Sequence, residues 1–150
     1  MNYRKPLLYD VEDIHQIINR CAEDGLMLPR SRNMLYETIR DFVVVEEEGN
    51  VVAAGALHVI WDDLAEIRAL AVEAEHQKKG LGKGIVERLV LEAKALGCSQ
   101  VFALTYQPGF FLKCGFSPVH KDSLPQKVWK ECINCAKFPN CDESAVILAL

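Results

Sequence analysis

Residues 64–96, LAEIRALAVEAEHQKKGLGKGIVERLVLEAKAL, constrain this chain more than any other stretch. An apolar run suited to a strand leads into a basic, glycine-rich turn, Gln77-Lys78-Lys79-Gly80-Leu81-Gly82-Lys83-Gly84. An amphipathic helix follows, with Ile85, Leu89, Ala93 and Leu96 expected to point inward and Gly97 to end it. A strand that runs through glycines into a helix start makes an anion site. Successive backbone N–H groups and the positive helix end converge on one spot, and glycine keeps Cβ atoms out of it. A phosphorylated ligand is expected there.

The flanking sequence sets the architecture. Apolar residues at 11, 14, 17, 18, 21 and 22 predict a helix that Asp10 caps, with Asp13 three residues on in a variant of the capping box, and that Gly25 ends. After a connector at residues 26–32, Ser31 can cap a second helix with Leu35, Ile39 and Phe42 on its inner side. Residues 42–45 and 51–60 are β-rich runs joined at Gly49-Asn50, a hairpin, and Asp62-Asp63 turns the chain into the strand at 64–72. Three antiparallel strands therefore precede the glycine turn. Beyond the helix come a strand at 100–105, helical turns at 108–114 closed by Gly115, a strand at 116–120, a helix at 124–133 and a strand at 145–150. This order is α+β with a mixed, mostly antiparallel sheet flanked by helices, not the regular alternation of a doubly wound fold.

Length and charge exclude several functions. The 150 residues are expected to form one domain, 1–150, with room for a full core. A net charge of −4 argues against a nucleic-acid partner. The longest nearly apolar run, residues 51–61, is half what a membrane helix needs (about 20 residues) and contains His58. The N-terminal residues turn acidic before a signal-like segment can form, so the expected compartment is the cytoplasm.

Spacing then narrows the ligand. A Walker loop needs G-x-x-x-x-G-K-[ST], but Ile85 follows Gly84 where lysine should stand. A dinucleotide fingerprint needs G-x-G-x-x-G; here the pattern is G-x-G-x-G, after a hairpin. Gln77-Lys78-Lys79-Gly80-Leu81-Gly82 instead resembles the Q/R-x-x-G-x-G/A motif of the GCN5-related N-acetyltransferase superfamily, and residues 110–116, FFLKCGF, resemble its downstream F-Y-x-x-x-G-F signature. The resemblance implies the fold of that superfamily and acetyl-CoA as co-substrate. Its pyrophosphate would sit on residues 77–84, Gln77, Lys78, Lys79, Gly80, Leu81, Gly82, Lys83 and Gly84 included. Its pantetheine arm would pair with Leu70, Ala71 and Val72 and pack on Phe111.

Two further segments are similar to the acetyltransferase domain of N-acetylglutamate synthases, across residues 5–125. Residues 25–32, GLMLPRSR, resemble their L-x-R-S-R segment, and residues 64–72 resemble their G-E-L-A-x-x-A-V strand. The resemblance implies that domain without the amino-acid-kinase domain of the long form, acting on an amino acid and admitting a homodimer. An α-ammonium must lose a proton before its nitrogen can attack a thioester. Glu66 corresponds to the family's glutamate base; the alternatives for it are a solvent-facing residue or a partner of Arg68. Arg30 and Arg32 are candidate carboxylate clamps, one of them free to be merely solvated. Phe111 stands where many relatives have a proton-donating tyrosine, which leaves Tyr106 or Thr105 to protonate the leaving thiolate, or no group at all. Tyr106-Gln107 replaces an Arg-Ser pair, which keeps glutamine, aspartate or another small amine open beside glutamate. The expectation is an acetyl-CoA-dependent amino-acid N-acetyltransferase making N-acetylglutamate for arginine biosynthesis. A small-amine or protein N-terminal acetyltransferase and a non-catalytic acyl-CoA-binding module are the alternatives.

Six cysteines without a secretion signal read as reduced thiols. Cys132, Cys135 and Cys141 have spacing that could bind zinc if His120 or Cys114 supplied a fourth ligand.

Overall fold

The computed structural model describes residues 1–125 and 143–150. Their strands are β1 (Asn2–Arg4), β2 (Phe42–Glu47), β3 (Asn50–Trp61), β4 (Leu64–Val72), β5 (Gln100–Thr105), β6 (Ser117–Val119) and β7 (Ser144–Ala149). The helices are α1 (Val11–Glu23), α2 (Arg32–Glu37), α3 (Leu81–Leu96) and α4 (Pro108–Lys113). The strands form one sheet in the order β1-β2-β3-β4-β5-β7-β6. Every pairing is antiparallel except that of β4 with β5, which are parallel and joined through α3. Parallel neighbours need a crossover, and α3 supplies it.

Both faces of the central strands are covered, which is why β2 and β3 read as unbroken apolar runs rather than alternating ones. Val43, Val45, Leu57, Ala65 and Ile67 pack with Ile85, Val86, Leu89 and Ala93 of α3. Phe42, Val44, Ala54, Ala56 and Ala71 face the other way, onto Val11, Ile14, Ile18 and Leu35 of α1 and α2. Burying each large aliphatic residue in these layers contributes on the order of 2 kcal/mol. Leu96, expected to point inward, is 64% exposed: the helical stripe has rotated out of the core by the last turn.

Local expectations divide. Ser31 Oγ accepts from Met34 N–H and caps α2 as expected, and left-handed Gly25, Gly97 and Gly115 follow α1, α3 and α4. Helix α2 is shorter than the pattern implied, because residues 39–41 tighten into a 3₁₀ turn and Phe42 begins β2. The β2–β3 turn centres on Glu48 and Gly49, both at positive φ, while Asn50 pairs with Glu47 inside the ladder. Two left-handed residues make the turn twist with its strands, so it lies one residue earlier than predicted. Asp10 does not cap α1. Its carboxylate accepts from Leu7 N–H and from both terminal nitrogens of Arg4, at 2.7, 2.8 and 3.0 Å. The charged partner outcompetes the helix end, and Asp13 accepts from Val51 N–H instead. A fourth antiparallel strand, β1, precedes the turn as well. The expected helix at 124–133 lies almost wholly, and Cys132, Cys135 and Cys141 entirely, outside the described residues.

Candidate active site

Two backbone features shape the site. The first is a parting of strands. The β4–β5 ladder runs through Leu64↔Gln100 and Ala65↔Val101 and ends at Glu66↔Phe102. Farther along β4, Ala56 pairs with Arg68 and Ala54 with Ala71, so Ala69 and Leu70 together oppose Gly55. That bulge holds Ala69 at φ 54° and turns β4 away from β5. Leu70, Ala71 and Val72 therefore lie past the last β5 pairing, on the stretch expected to meet a pantetheine arm.

The second feature is the turn itself. Lys78 and Gly80 are left-handed, at φ 68° and 80°. A Cβ at Gly80 would meet nothing within 4 Å, so glycine is needed there for its backbone and not for space. The first α3 bond runs from Gly84 N–H to Gly80 C=O at 3.0 Å. The N–H groups of Gly80, Leu81, Gly82 and Lys83 thus precede any helical acceptor and carry the positive helix end. A Cβ on Gly82 would stand 3.2 Å from Phe110 Cζ and 3.7 Å from Val72 Cγ2, which places Gly82 where β4, α3 and α4 converge. Lys78, Lys79 and Lys83 are exposed around it. Open donors, three cations and glycine at the point of convergence fit a pyrophosphate group. Gly84 serves the protein instead: a Cβ there would overlap the Tyr3 hydroxyl of β1.

The turn is tied down on its approach. Gln77 Nε2 donates to Val72 C=O at 3.2 Å. His76, in the 3₁₀ turn before it, is hydrogen-bonded to Glu47 and lies 4.0 Å from Glu73.

At the parting of the strands sits Glu66, 6% exposed. Its Oε1 accepts from Arg68 Nε at 2.6 Å. Both side chains lie on the α1 face, since residues two apart on a strand share a face. His58 is its cross-strand neighbour on β3, with Asp41 Oδ2 3.9 Å from His58 Nδ1. Burial pushes the Glu66 carboxyl above its ordinary range, opposed first by Arg68 and then by His58 and Arg30. An enclosed carboxylate of raised basicity beside an open strand edge can accept a proton from a bound ammonium.

The two candidate arginines separate. Arg30 belongs to this surround, and its backbone is held by Asn19 of α1, which accepts from Arg30 N–H at 3.2 Å and donates to Arg30 C=O at 3.0 Å. Arg32 points elsewhere, making an exposed two-point pair with Glu12 at 2.6 and 3.1 Å. Tyr106 follows the end of β5, and Thr105 Oγ1 accepts from Gln107 N–H. Phe111 is a core residue at 5% exposure, edge-on to Phe110 and Phe116. The ring that a Gly82 Cβ would meet is Phe110. Cys21, Cys98 and Cys114 are free thiols whose acidity is lowered by burial.

The sequence missed Asn19 and the approach of Phe110 to Gly82, and it offered the Glu66–Arg68 pair only as an alternative to the base. The period-two alternation that pairs Glu66 with Arg68 was its one readable trace.

Comparison with known proteins points to one family. The Acetyltransferase (GNAT) family model matches residues 11–116. An uncharacterised N-acetyltransferase of Chlorobaculum tepidum is 39% identical over 147 residues, spanning 98% of this chain and 95% of its own. An amino-acid acetyltransferase of Mycobacterium tuberculosis is 36% identical over 131 residues, 85% of this chain and 75% of that protein. The crystal structure of a Mycobacterium tuberculosis protein in complex with CoA and NLQ superposes with a TM-score of 0.86 at 32% identity, covering 100% of this chain and 99% of that one. The N-acetylglutamate synthase of Neisseria gonorrhoeae, complexed with coenzyme A and N-acetyl-glutamate, gives 0.90 at 27% identity, over 99% of this chain but 35% of that one.

Proposed function

The chain belongs to the acetyltransferase (GNAT) family, and from that premise we propose that this N-acetyltransferase moves the acetyl group of acetyl-CoA to the α-amino group of an amino acid, L-glutamate first. The observation that carries the reading is Glu66, a buried carboxylate at the last β4–β5 pair, beside a bulged strand edge and in the field of Arg30. The amino-acid acetyltransferase and N-acetylglutamate synthase among its relatives support the acceptor class.

Each group has a task. The turn N–H groups and the lysines around them hold the pyrophosphate, and β4 beyond Glu66 orients the arm. Acetyl-CoA supplies an activated acyl group and a thiolate leaving group. Glu66 takes a proton from the acceptor ammonium, directly or through water, which frees the nitrogen lone pair. Backbone N–H groups of β4 stabilise the negative charge that develops on the acyl oxygen. Tyr106 or Thr105, at the end of β5, supplies a proton to the departing sulfur. Arg30 meets a carboxylate of the acceptor. N-Acetylglutamate would enter arginine biosynthesis in the cytoplasm, and no helix among the described residues is long and apolar enough to cross a membrane.

Tyr106 and Gln107 carry no charge, and on that ground glutamine competes with glutamate as acceptor. A thiol-release assay with acetyl-CoA and the 20 amino acids, glutamate and glutamine first, tests the proposal. Turnover is expected to be fastest with L-glutamate. CoA release no faster than hydrolysis with every amino acid would overturn it.

A further inference from the structure

The Glu66–Arg68 pair needs an explanation of its own. The contact is 2.6 Å long, and the side chains are 9% and 14% exposed. Enclosing an ion pair this fully is a weak way to stabilise a sheet, because desolvation consumes much of the attraction. On this α1 face the central strands carry Ala54, Ala56 and Ala71 alongside the larger Phe42 and Val44. The pair lies where β4 leaves β5, and its carboxylate is the one already read as the base.

We infer that Glu66 and Arg68 together receive the α-ammonium and α-carboxylate of the acceptor, so that the enzyme selects α-amino acids as a class over amines that lack the carboxylate. This rests on the reading of Glu66 as the base. An α-amino acid carries a cation and an anion on one carbon. The pair carries an anion and a cation in hydrogen-bond contact. Laid side by side in opposite order, the four charges alternate in sign, and each has two opposite neighbours. In an enclosed site that alternation is strong. A simple amine would bring its cation to Glu66 with no carboxylate of its own to meet the neighbouring Arg68 guanidinium, and that deficit disfavours it. Arg30 is then left for the acceptor's side chain, where a second carboxylate would meet it.

The same arrangement couples recognition to chemistry. Among the described residues, the charged groups facing Glu66 are Arg68 on its own strand, His58 on β3 with Asp41 close to it, and Arg30 from the connector. Arg68 is the largest influence holding the Glu66 proton affinity down against burial. An α-carboxylate that engages Arg68 weakens that influence once the ammonium is seated. Glu66 then takes one ammonium proton and the nitrogen lone pair attacks the thioester carbonyl. The C–N bond forms, the C–S bond breaks, and the sulfur leaves with the electron pair; the second ammonium proton, now on the acylated nitrogen, passes to that sulfur, directly or by way of Tyr106 or Thr105, to give the CoA thiol and the neutral amide.

Arg68→Met and Arg68→Lys, assayed by thiol release with L-glutamate, its α-amide and its γ-amide, test the inference. Wild type should prefer glutamate to the α-amide by about 10–100-fold in kcat/KM, the range for a charge-assisted hydrogen bond. Arg68→Met should erase that preference, chiefly through the KM of glutamate, while leaving the KM of acetyl-CoA and the glutamate-to-γ-amide ratio in place. Arg68→Lys, a charge without the fork, should fall between; it carries the test if the methionine variant does not fold. Retention of the wild-type preference over the α-amide in either folded variant would overturn the inference alone. Wild-type protein inert toward all three acceptors would overturn the functional reading with it.

Discussion

Gly55→Ala probes the contact that joins the bulged strand to the helix carrying the turn. Gly55 has no unusual backbone, so alanine is acceptable there in conformation; the difficulty is space. Its Cβ would lie 2.7 Å from Ile85 Cγ2, 3.0 Å from Leu70 Cδ1 and 3.5 Å from Leu89 Cδ1. Carbon contacts are best at about 3.5–4.0 Å, so Ile85 must retreat by about 1 Å. The Leu70 methyl ends a flexible chain and can swing aside. Ile85 Cγ2 is fixed on a branched Cβ whose rotamer is nearly unique in a helix, so α3 itself has to move. Overpacking of this kind costs roughly 1–3 kcal/mol. Taking about 2 kcal/mol, the Tm should fall by roughly 4–8 °C for a chain of this size. Leu81 of the turn is one helical turn from Ile85, so the acetyl-CoA KM should rise several-fold as well. Ile85→Leu removes the offending branch at nearly constant volume and alone should cost less than about 1.5 kcal/mol. Combined with Gly55→Ala it should recover about 1 kcal/mol relative to additivity in a denaturant double-mutant cycle. A wild-type Tm for Gly55→Ala, or strict additivity of the pair, would refute the reasoning.

Asp10→Asn removes the partner of Arg4 at a position 3% exposed, and should cost about 2–3 kcal/mol in urea unfolding at neutral pH. Because Arg4 holds the Asp10 carboxyl below its usual range, that stabilisation is complete above the ordinary carboxylate pKa and is lost as pH falls through the lowered native value. The gap between wild type and variant should therefore close in acid; a gap that widens contradicts the assignment. Gly82→Val forces a branched side chain into the space beside Phe110 and should weaken acetyl-CoA binding by more than about tenfold in calorimetry, on the scale of a lost charge-assisted contact; unchanged affinity would remove the turn from the cofactor site. Arg30→Ala should raise the acceptor KM by about tenfold or more, whereas Arg32→Ala, whose side chain is turned to Glu12, should leave it within a factor of two. Equal effects would contradict the separation of the two arginines.

What the sequence made legible is the local frame. The shift from strand period to helical period across residues 64–96, with Gly97 as a stop, placed β4, the turn and α3 to the residue at one end of the helix. The phosphate-binding turn was legible because it depends on backbone N–H groups and missing Cβ atoms, both local properties; acetyl-CoA followed from the resemblance of its motif to the superfamily's. Long-range partners were not legible. Strand β1 is three residues, Asn-Tyr-Arg, with no pattern of their own; pairing with β2 makes them a strand. Asp10 looked like a cap because its neighbours form a helix, yet Arg4 captures it from the adjoining strand. Nothing in Ala69-Leu70 announces a positive φ. The trace of the bulge was Gly55 across the ladder, a glycine inside an apolar strand, which commonly marks a bulge or a close approach. Here it marks both. Likewise, Arg30 and Arg32 are equivalent on paper, and only Asn19 and Glu12 on α1 tell them apart.

The central claim is that Glu66 removes the proton from the acceptor amine. Glu66→Gln keeps the size of the side chain and removes the proton acceptor, and the measurement is single-turnover CoA release alongside acetyl-CoA binding. The account predicts a rate lowered by about 10²–10⁴-fold, the usual contribution of a general base, with acetyl-CoA affinity unchanged. A folded Glu66→Gln protein that acetylates its amino acid at the wild-type rate would contradict it.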